Sequence, residues 1–332
     1  MKCFLPADGL FEITFPMDWT YNLSNGYIHQ FHFIKGIGSF HLSLLNEAAR
    51  TQFNNIRNNP NIIKRNLKNS TIYELTIDNE HEFITTVWHL QKDEIMFLAS
   101  HTFATKFKNT KKFKSERKII LEILNSLKIV HPENRQLRIS CFRFEKFLGG
   151  LEASEIMFDN AAKNGCFLEC VCLLANQIDG MLRVANILFD QIQKRSSDIN
   201  LSFIYQGEND KIKTEKNIYD ISRDKGIIDQ KLFDELYLEY KQRNRVVHRY
   251  VISEISTRDI LEIAYRYSII KNTVWQIVYE LENNQLDLGL GMTAYTEKLP
   301  KDKLKESNKI FNISVSEKLG GLDLKNKPSD LK

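Results

Sequence analysis

The sequence predicts two domains of different class, an α+β domain followed by an all-α helical bundle. Short β-branched and aromatic runs with alternating polarity extend to about Thr105, which is typical of antiparallel strands. Near Leu151 the apolar period changes from two residues to about 3.6, the period of an α-helix. A length of 332 residues also fits two domains, because each half is long enough to bury its own core.

The first 130 residues are expected to form a sheet with helices packed on it. Its strand candidates are separated by turn residues at 24–26, 35–36 and 92–93; they are FEITF, GYIHQFHFI, GSFHLSLL, TIYELTI, EFITTVWHL and EIMFLASHTF. The polar segment 51–66 interrupts them and is expected to hold a short helix or a long loop. An amphipathic helix with Ile120, Ile123 and Leu124 on its apolar face is predicted to end near Val130.

The ends of this domain resemble the PsbP-like fold. The resemblance rests on the opening FEITFPMDWTY, with its Phe-Pro-x-x-Trp turn, and on the closing helix ILNSLKIV. It implies an α/β/α sandwich over residues 1–130. No catalytic set is found in this half, so we expect a sensing or docking role, with a protein or ligand trigger as the bound partner.

Residues 131–150 are expected to link the domains. His131-Pro132-Glu133-Asn134 should end the preceding helix, because proline and its polar neighbours mark a boundary. RISCFRFEKF is expected to add a strand or to pack as an extended segment. Gly149-Gly150 would then form a flexible joint.

Helices are predicted for residues 151–285. Ser154 should open the first helix and Gly165 should end it. The next helix is broadly apolar and should run from Cys166 to Lys194. Asp229 is the expected cap of the following helix, and Ser256 with Asp259 forms a variant of the capping box before the last long helix.

The Lys-rich tail, residues 286–332, is expected to be poorly ordered. FNISVS within it is a candidate extra strand, on the first domain or on another chain.

Composition fits a protein of the reducing cytoplasm. The N-terminus lacks the pattern of a signal peptide, and no apolar stretch is long enough to span a membrane. Five cysteines are an odd number and show no zinc-finger spacing, so neither a disulfide framework nor a metal or other cofactor is expected. The net charge of +4 permits nucleic-acid binding through a local patch without requiring it.

The segment Asp234–Tyr250 carries the residues best suited to chemistry. Asn244 and His248 are one helical turn apart and share a face, whereas Arg243 lies about 140° around the helix from His248. A basic edge runs beside them, formed by Lys241, Arg245 and Arg249. A histidine in such surroundings is also common on a solvated helix surface, and that alternative stays open.

These residue types suit cleavage of an RNA phosphodiester by its own 2′-hydroxyl. Histidine can move a proton near neutral pH. Arginine provides a permanent planar cation for the charge that develops on the phosphoryl oxygens. This chemistry requires no metal.

The spacing Arg243-Asn244-x-x-x-His248 resembles the Arg-x4-6-His signature of HEPN-superfamily ribonucleases, and the wider run RNRVVHRYVISEIS is also similar to that family. The resemblance implies a homodimer whose motif helices face each other across a two-fold axis. It implies catalysis by Arg243, His248 and Asn244, and RNA contacts from the residues Arg245, Arg249, Lys241, Tyr250 and Arg183.

Asp179 and Arg183 have ordinary ion-pair spacing on the predicted second helix. The family resemblance adds that Asp179 orients Arg243 or that Arg183 joins the phosphate site. A simple surface ion pair is the alternative.

The resemblance further implies a bacterial toxin or antiviral nuclease that cleaves tRNA, rRNA or mRNA. Two other functions stay open. One is a non-catalytic dimer that binds nucleotide or RNA; the other is an adaptor that acts through the first domain.

Overall fold

The computed structural model describes residues 2–24, 28–33, 35–45, 60–68, 70–79, 82–205, 213–291 and 311–319. The chain divides into two compact units, Met1–Gln136 and Leu137–Lys332. The first unit is an antiparallel sheet structure with a packed helix, and the second is helical. This confirms the predicted fold class of an α+β domain followed by a helical bundle.

Two antiparallel sheets form the first unit. Three strands pair in the order β1-β2-β10 and seven in the order β3-β4-β5-β9-β8-β7-β6. The strand bounds are β1 (Lys2–Phe4), β2 (Phe11–Phe15), β3 (Trp19–Ser24), β4 (Ile28–Phe33), β5 (Gly38–Leu44), β6 (Ile63–Asn66), β7 (Thr71–Asn79), β8 (Phe83–Lys92), β9 (Ile95–Ala104) and β10 (Lys128–Ile129).

The sheet core follows from alternation along the strands. Every second residue of β9 from Phe97 to Phe103 is buried, and the residues that alternate with them are more exposed, because successive side chains of a strand point to opposite faces. Helix α1 (Lys111–Ser126) places Ile120 and Ile123 in the same core. Thr110 caps this helix by accepting a hydrogen bond from the Phe113 amide.

One local prediction in this unit is wrong, and a second is incomplete. The closing helix ends at Ser126 rather than near Val130, because β10 pairs with Glu12 and Phe11 of β2. The end of the polar segment 51–66 is strand β6, which pairs with β7; residues 51–59 lie outside the described part of the chain.

Two buried carboxylates connect α1 to the large sheet. The Glu74 carboxylate accepts hydrogen bonds from Arg117 Nη2, at 2.6 and 2.7 Å, and from Arg65 Nε at 2.8 Å. The Glu116 carboxylate lies 3.0 Å from His101 Nε2 and accepts a bond from the Ile37 amide at 2.9 Å. Both carboxylates are nearly inaccessible to water, so their partners must replace solvation.

The second unit is built from six helices in the part of the chain that the structure describes. These are α2 (Arg135–Lys163), α3 (Phe167–Lys194), α4 (Glu215–Asp224), α5 (Gln230–Arg249), α6 (Thr257–Asp287) and α7 (residues 311–318). The predicted caps are confirmed at Asp229, which accepts from the Leu232 amide, and at the Ser256–Asp259 capping box. Gly165, with φ of +68°, follows the end of α2 as predicted, but the helix begins at Arg135 and not at Ser154, so that part of the prediction is wrong.

Helix α3 is the central helix of this unit. Val171, Ile178 and Leu182 have no exposed surface, and Val274 and Tyr267 of α6 are equally buried in the same core. By length and composition α3 could cross a membrane, but 78% of its most apolar stretch is buried inside the unit. Its apolar character is that of a core helix.

The predicted linker, residues 131–150, is wrong from Arg135 onward. Helix α2 runs through RISCFRFEKF and Gly149-Gly150 without a break, so neither a strand nor a flexible joint forms there. Gly149 instead allows α7 to pack closely, because a Cβ at this position would lie 2.6 Å from the Ser314 Cβ. Glycine at this position is therefore explained by the close packing of α2 against α7.

The tail also contains order that was not predicted. FNISVS is part of α7, and its Ser314 and Val315 are buried against α2, so the strand interpretation is wrong. Lys146 of α2 lies 3.4 Å from Glu317 of α7. Residues 292–310, with their lysines, and 320–332 lie outside the described part of the chain.

The Glu74 cluster gives a pH-dependent prediction. Burial raises the pKa of Glu74, but the hydrogen bond and charge of Arg117, together with Arg65 and Trp88, outweigh it and hold the pKa below its usual value. Since the folded pKa lies below the unfolded one, the stabilisation exists above the unfolded pKa, about 4.3, and is lost as pH falls through the folded pKa.

Glu74→Gln should therefore lower the free energy of unfolding by about 2 kcal/mol at pH 7, with the difference from the parent shrinking below about pH 4. Denaturant titration in a Trp275→Phe background would report this unit through the buried Trp19 and Trp88. Asp78→Asn, which breaks an exposed pair with Lys108, is the control and should change stability by less than about 1 kcal/mol. An equal loss in both variants would contradict the prediction.

Candidate functional site

The candidate site lies on the last turns of α5. Leu236 and Val246 of this helix are completely buried. Their packing fixes which face of α5 points into the unit. His248 and Arg249 occupy its final turn, where the partial negative charge of a helix C-terminus favours cations. The chain then passes into a single 3-10 turn, Tyr250–Ile252.

Arg243 points inward from α5. Its side chain is 22% exposed, and Nη2 donates a hydrogen bond to Oε2 of Glu215 in the first turn of α4. The guanidinium carbon also lies 5.0 Å from the centre of the Tyr240 ring, within the range of a cation–π contact. Arg243 is therefore held in place by a carboxylate from another helix.

Glu215 is itself enclosed by tyrosines. The fully buried Tyr219 donates its hydroxyl to Oε1 of Glu215. Burial raises the pKa of Glu215, and the Tyr219 hydrogen bond and the Arg243 charge offset only part of that effect. Burial and the negative charge of Glu215 also raise the pKa of Tyr267, which lies on α6. We call the set Glu215, Tyr219, Arg243 and Tyr267 the buried cluster.

Asp179 and Arg183 form an internal pair beside this cluster. Arg183 Nε donates to Asp179 Oδ2 at 2.7 Å, and its other nitrogens donate to the Phe203 and Lys213 carbonyls at 2.7 and 2.8 Å. Burial raises the pKa of Asp179, opposed by Arg183 and by the more distant Arg243. Arg243 is therefore held by Glu215 rather than by Asp179. Arg183 is only 12% exposed, and its hydrogen bonds connect α3 to the segments that contain Phe203 and Lys213.

His248 lies on the opposite side of α5 from Arg243. It is exposed and makes no hydrogen bond or ion pair with the residues that the structure describes. Asn244 is half-buried on the same side of the helix, one turn earlier. The predicted RNA-contacting residues around it are all exposed; they are Lys241, Arg245, Arg249 and Tyr250.

Uncovered apolar side chains surround the end of α5. Val251 is 91% exposed and Ile252 is 81% exposed, values that are unusual for aliphatic residues next to each other. Val247 and Tyr250 add further exposed apolar surface. We call these four residues the motif patch, because they adjoin His248.

No metal site accompanies these residues. Within the described ranges, no group of three or more His, Cys, Asp and Glu side chains is placed to hold a metal ion.

Comparisons with known proteins leave the function open. The chain matches no family model and no curated protein. One solved structure, from Bacteroides thetaiotaomicron VPI-5482, is similar over 54% of this chain and 76% of its own, with 12% identity and a TM-score of 0.34. At this similarity neither a fold family nor a function transfers from that protein to this one.

Three members of the buried cluster were not predicted from the sequence. Glu215 follows the helix-capping Thr214, which marks the start of a helix but says nothing of an arginine 28 residues later. Tyr219 and Tyr267 resemble ordinary core residues of their helices. A pairing between distant helices is a tertiary feature without a local sequence signal.

The energetic weight of the Arg243–Glu215 pair can be measured with a double-mutant cycle. Glu215→Gln and Arg243→Gln should each destabilise the protein by about 2 kcal/mol, because each leaves one charge of a mostly buried pair without its partner. The double variant should lose less than the sum by about 1 kcal/mol or more. Urea unfolding followed by ellipticity at 222 nm reports these helices.

The control cycle uses the pair Lys231 and Glu235, which is 84% and 48% exposed. Its coupling should be only a few tenths of a kcal/mol. Equal coupling in the two cycles would show that the buried pair has no special structural role.

Proposed function

We propose that this protein is a metal-independent endoribonuclease that works as a homodimer, with Arg243 and His248 as its catalytic residues. One observation carries the proposal. An exposed imidazole, free of partners among the described residues, lies at the end of a helix whose nearby arginine is held by a carboxylate, beside exposed basic side chains and the motif patch.

The chemistry follows from the two side chains. The RNA 2′-hydroxyl attacks the adjacent phosphorus and loses its proton, while the 5′-oxygen leaves and gains one. His248 acts as the base for the first proton or the acid for the second. Arg243 stabilises the charge on the phosphoryl oxygens, and Asn244 orients His248 or binds a phosphate oxygen. The products are a 2′,3′-cyclic phosphate and a 5′-hydroxyl, and DNA is inert because it lacks the attacking group.

The proposed site needs two copies of the chain, because Arg243 and His248 point in different directions within a single copy. Arg243 and His248 differ by five residues, which is about 140° around the helix. When two motif helices face each other, the His248 of one can approach a phosphate that the Arg243 of the other contacts. The motif patch supports this arrangement, since its exposed Val251 and Ile252 would be covered by a second copy.

Arg243 retains capacity for a phosphate while it is paired. A guanidinium has five N–H donors, and the contact with Glu215 uses one nitrogen, Nη2. The side chain as a whole is 22% exposed, and its buried Nε has no hydrogen-bond partner among the described residues. A carboxylate partner limits the freedom of the side chain, which favours a defined position at the reacting phosphate.

The exposed cations extend the proposed contact with RNA. Lys241, Arg245 and Arg249 would contact the phosphate backbone, giving salt-dependent affinity with little sequence preference. We further propose a cytoplasmic role in bacterial toxin or antiviral defence against tRNA, rRNA or mRNA. The first unit would bind the protein or ligand that triggers cleavage.

A non-catalytic RNA- or nucleotide-binding dimer is the second candidate. One observation favours it: Arg243 is neutralised by Glu215, and Arg183 has three contacts within the protein. Ion-paired arginines of this kind often serve the fold alone. In that case RNA would bind without being cleaved.

Incubation of purified protein with tRNA and rRNA in the presence of a metal chelator separates the two candidates. We expect cleavage with 2′,3′-cyclic phosphate ends. His248→Ala should lower the rate by about 10²–10⁴-fold, and Arg243→Ala by about 10²–10³-fold.

His131→Ala, at an exposed histidine far along the chain from the motif, is the matched control and should cleave as the parent does. Equal cleavage rates for the parent and His248→Ala would contradict the catalytic proposal. RNA binding without product would favour the second candidate.

A further inference from the structure

Helix α6 carries a second apolar face that nothing in the described chain covers. Its inner face packs on α3, and polar contacts join it to α5 through Arg266–Glu239 and to α2 through Lys271–Glu155. Large exposed side chains follow the outer face: Leu261, Tyr265, Ile269, Trp275 and Tyr279 are 44, 66, 50, 50 and 48% exposed. At about 100° per residue they fall within a sector of roughly 120°. We call these five residues the α6 strip.

The outer face follows the spacing of a helix–helix seam. Steps of four and three residues connect Leu261, Tyr265, Ser268, Asn272, Trp275 and Tyr279. Apolar side chains occupy both ends of the seam, and Ser268 and Asn272 occupy its middle. The rings of Trp275 and Tyr279 stack at 5.6 Å with an angle of 8° between their planes, so they present one continuous surface.

This seam is symmetric about Ile270. Leu261 and Tyr279 are nine residues from it, Tyr265 and Trp275 are five, and Ser268 and Asn272 are two. Charges continue the pattern, because the cation Arg258 and the anion Glu282 are each twelve residues away. A two-fold interface requires this property, since residue i contacts residue j of the other copy while j contacts i.

We propose that the α6 strip binds a second copy of this chain, with the two α6 helices antiparallel across a two-fold axis at Ile270. Tyr265 then packs on Trp275 of the partner subunit and Leu261 on Tyr279 of the partner subunit. Ser268 faces Asn272 of the partner subunit, and a polar layer in an apolar seam fixes its register. Arg258 meets Glu282 of the partner subunit at both ends.

Charge distinguishes this partner from others. Arg258 remains 86% exposed in its ion pair with Glu262 of the same helix, and Glu282 is also exposed, so both side chains can reach a partner. A parallel pair of helices would place each charge opposite its own copy, which is repulsive. An anionic membrane would require predominantly basic flanks, but Glu262, Glu280 and Glu282 lie along this face.

This interface is distinct from the pairing proposed for catalysis and goes beyond it. The short connection 250–256 joins the end of α5 to the start of α6, and the Arg266–Glu239 contact lies about ten residues from it on both helices, so His248 lies near the start of α6. That level is about 20 Å along α6 from Ile270, at 1.5 Å per residue. The two His248 side chains therefore cannot meet across this axis. Two different two-fold contacts on one chain generate a tetramer or a chain of dimers.

Mass measurement by sedimentation tests the proposal. Tyr265→Glu and Trp275→Glu should each halve the mass of the assembly, because both bury a charge in the seam, and should still cleave RNA. Ile77→Glu is the matched control, since Ile77 is 42% exposed on β7 and belongs to neither α5 nor α6, and it should leave the mass unchanged. A parent mass equal to that of the Tyr265→Glu and Trp275→Glu variants would overturn the proposal.

Charge reversal tests the register. Arg258→Glu should weaken the assembly at least about tenfold, and the pair Arg258→Glu with Glu282→Arg should restore it. Failure of this rescue would reject the antiparallel arrangement about Ile270. Val251→Glu separates the two interfaces, because it should abolish cleavage while the α6 contact persists. If Val251→Glu changed the mass but Tyr265→Glu and Trp275→Glu did not, the α6 proposal would be rejected and the motif pairing would be retained.

Discussion

The ion pair between Arg243 and Glu215 is the constraint on which the helical unit depends. It connects α5 to α4 through two charges that are 22 and 15% exposed, and the buried Tyr219 and Tyr267 surround it. Separating charges from water is costly, so a mostly buried pair is favourable only when geometry and hydrogen bonds replace the lost solvation. Tyr219 supplies such a bond to Glu215. The rotation of α5 that satisfies this pair also places His248 on the outside.

This geometry is the reason why the proposed catalytic site requires a second copy. The inner side of α5 holds Arg243 within the cluster, while the outer side presents His248 and the motif patch to solvent. Any reaction that uses both groups at one phosphate needs a second α5, and exposed aliphatic residues beside the histidine suit such a contact. The proposed axis at Ile270 lies about 20 Å along α6 from its start, near which His248 lies, so the two proposed contacts use separate surfaces.

Local features of the fold were predictable from sequence, and tertiary ones were not. Asp229 and Ser256 were identified as caps because a cap depends on three or four neighbouring residues. Gly149 was misread as a joint because its reason is the approach of α7, which lies about 165 residues later in the chain. For the candidate site, the sequence predicted that Arg243 and His248 diverge around the helix, which the structure confirms, while their catalytic role stays a prediction. It did not identify Glu215, since the pairing of α4 with α5 carries no local signal.

The most direct test of the central claim is complementation between inactive variants. Arg243→Ala and His248→Ala proteins would be unfolded, mixed in equal amounts and refolded together, and RNA cleavage would be compared with each variant alone. If a site combines Arg243 of one copy with His248 of the other, mixed dimers hold one intact site, and activity should return to roughly a quarter of the parent value. Cleavage by the parent with no recovery in the mixture would contradict a site shared between two copies.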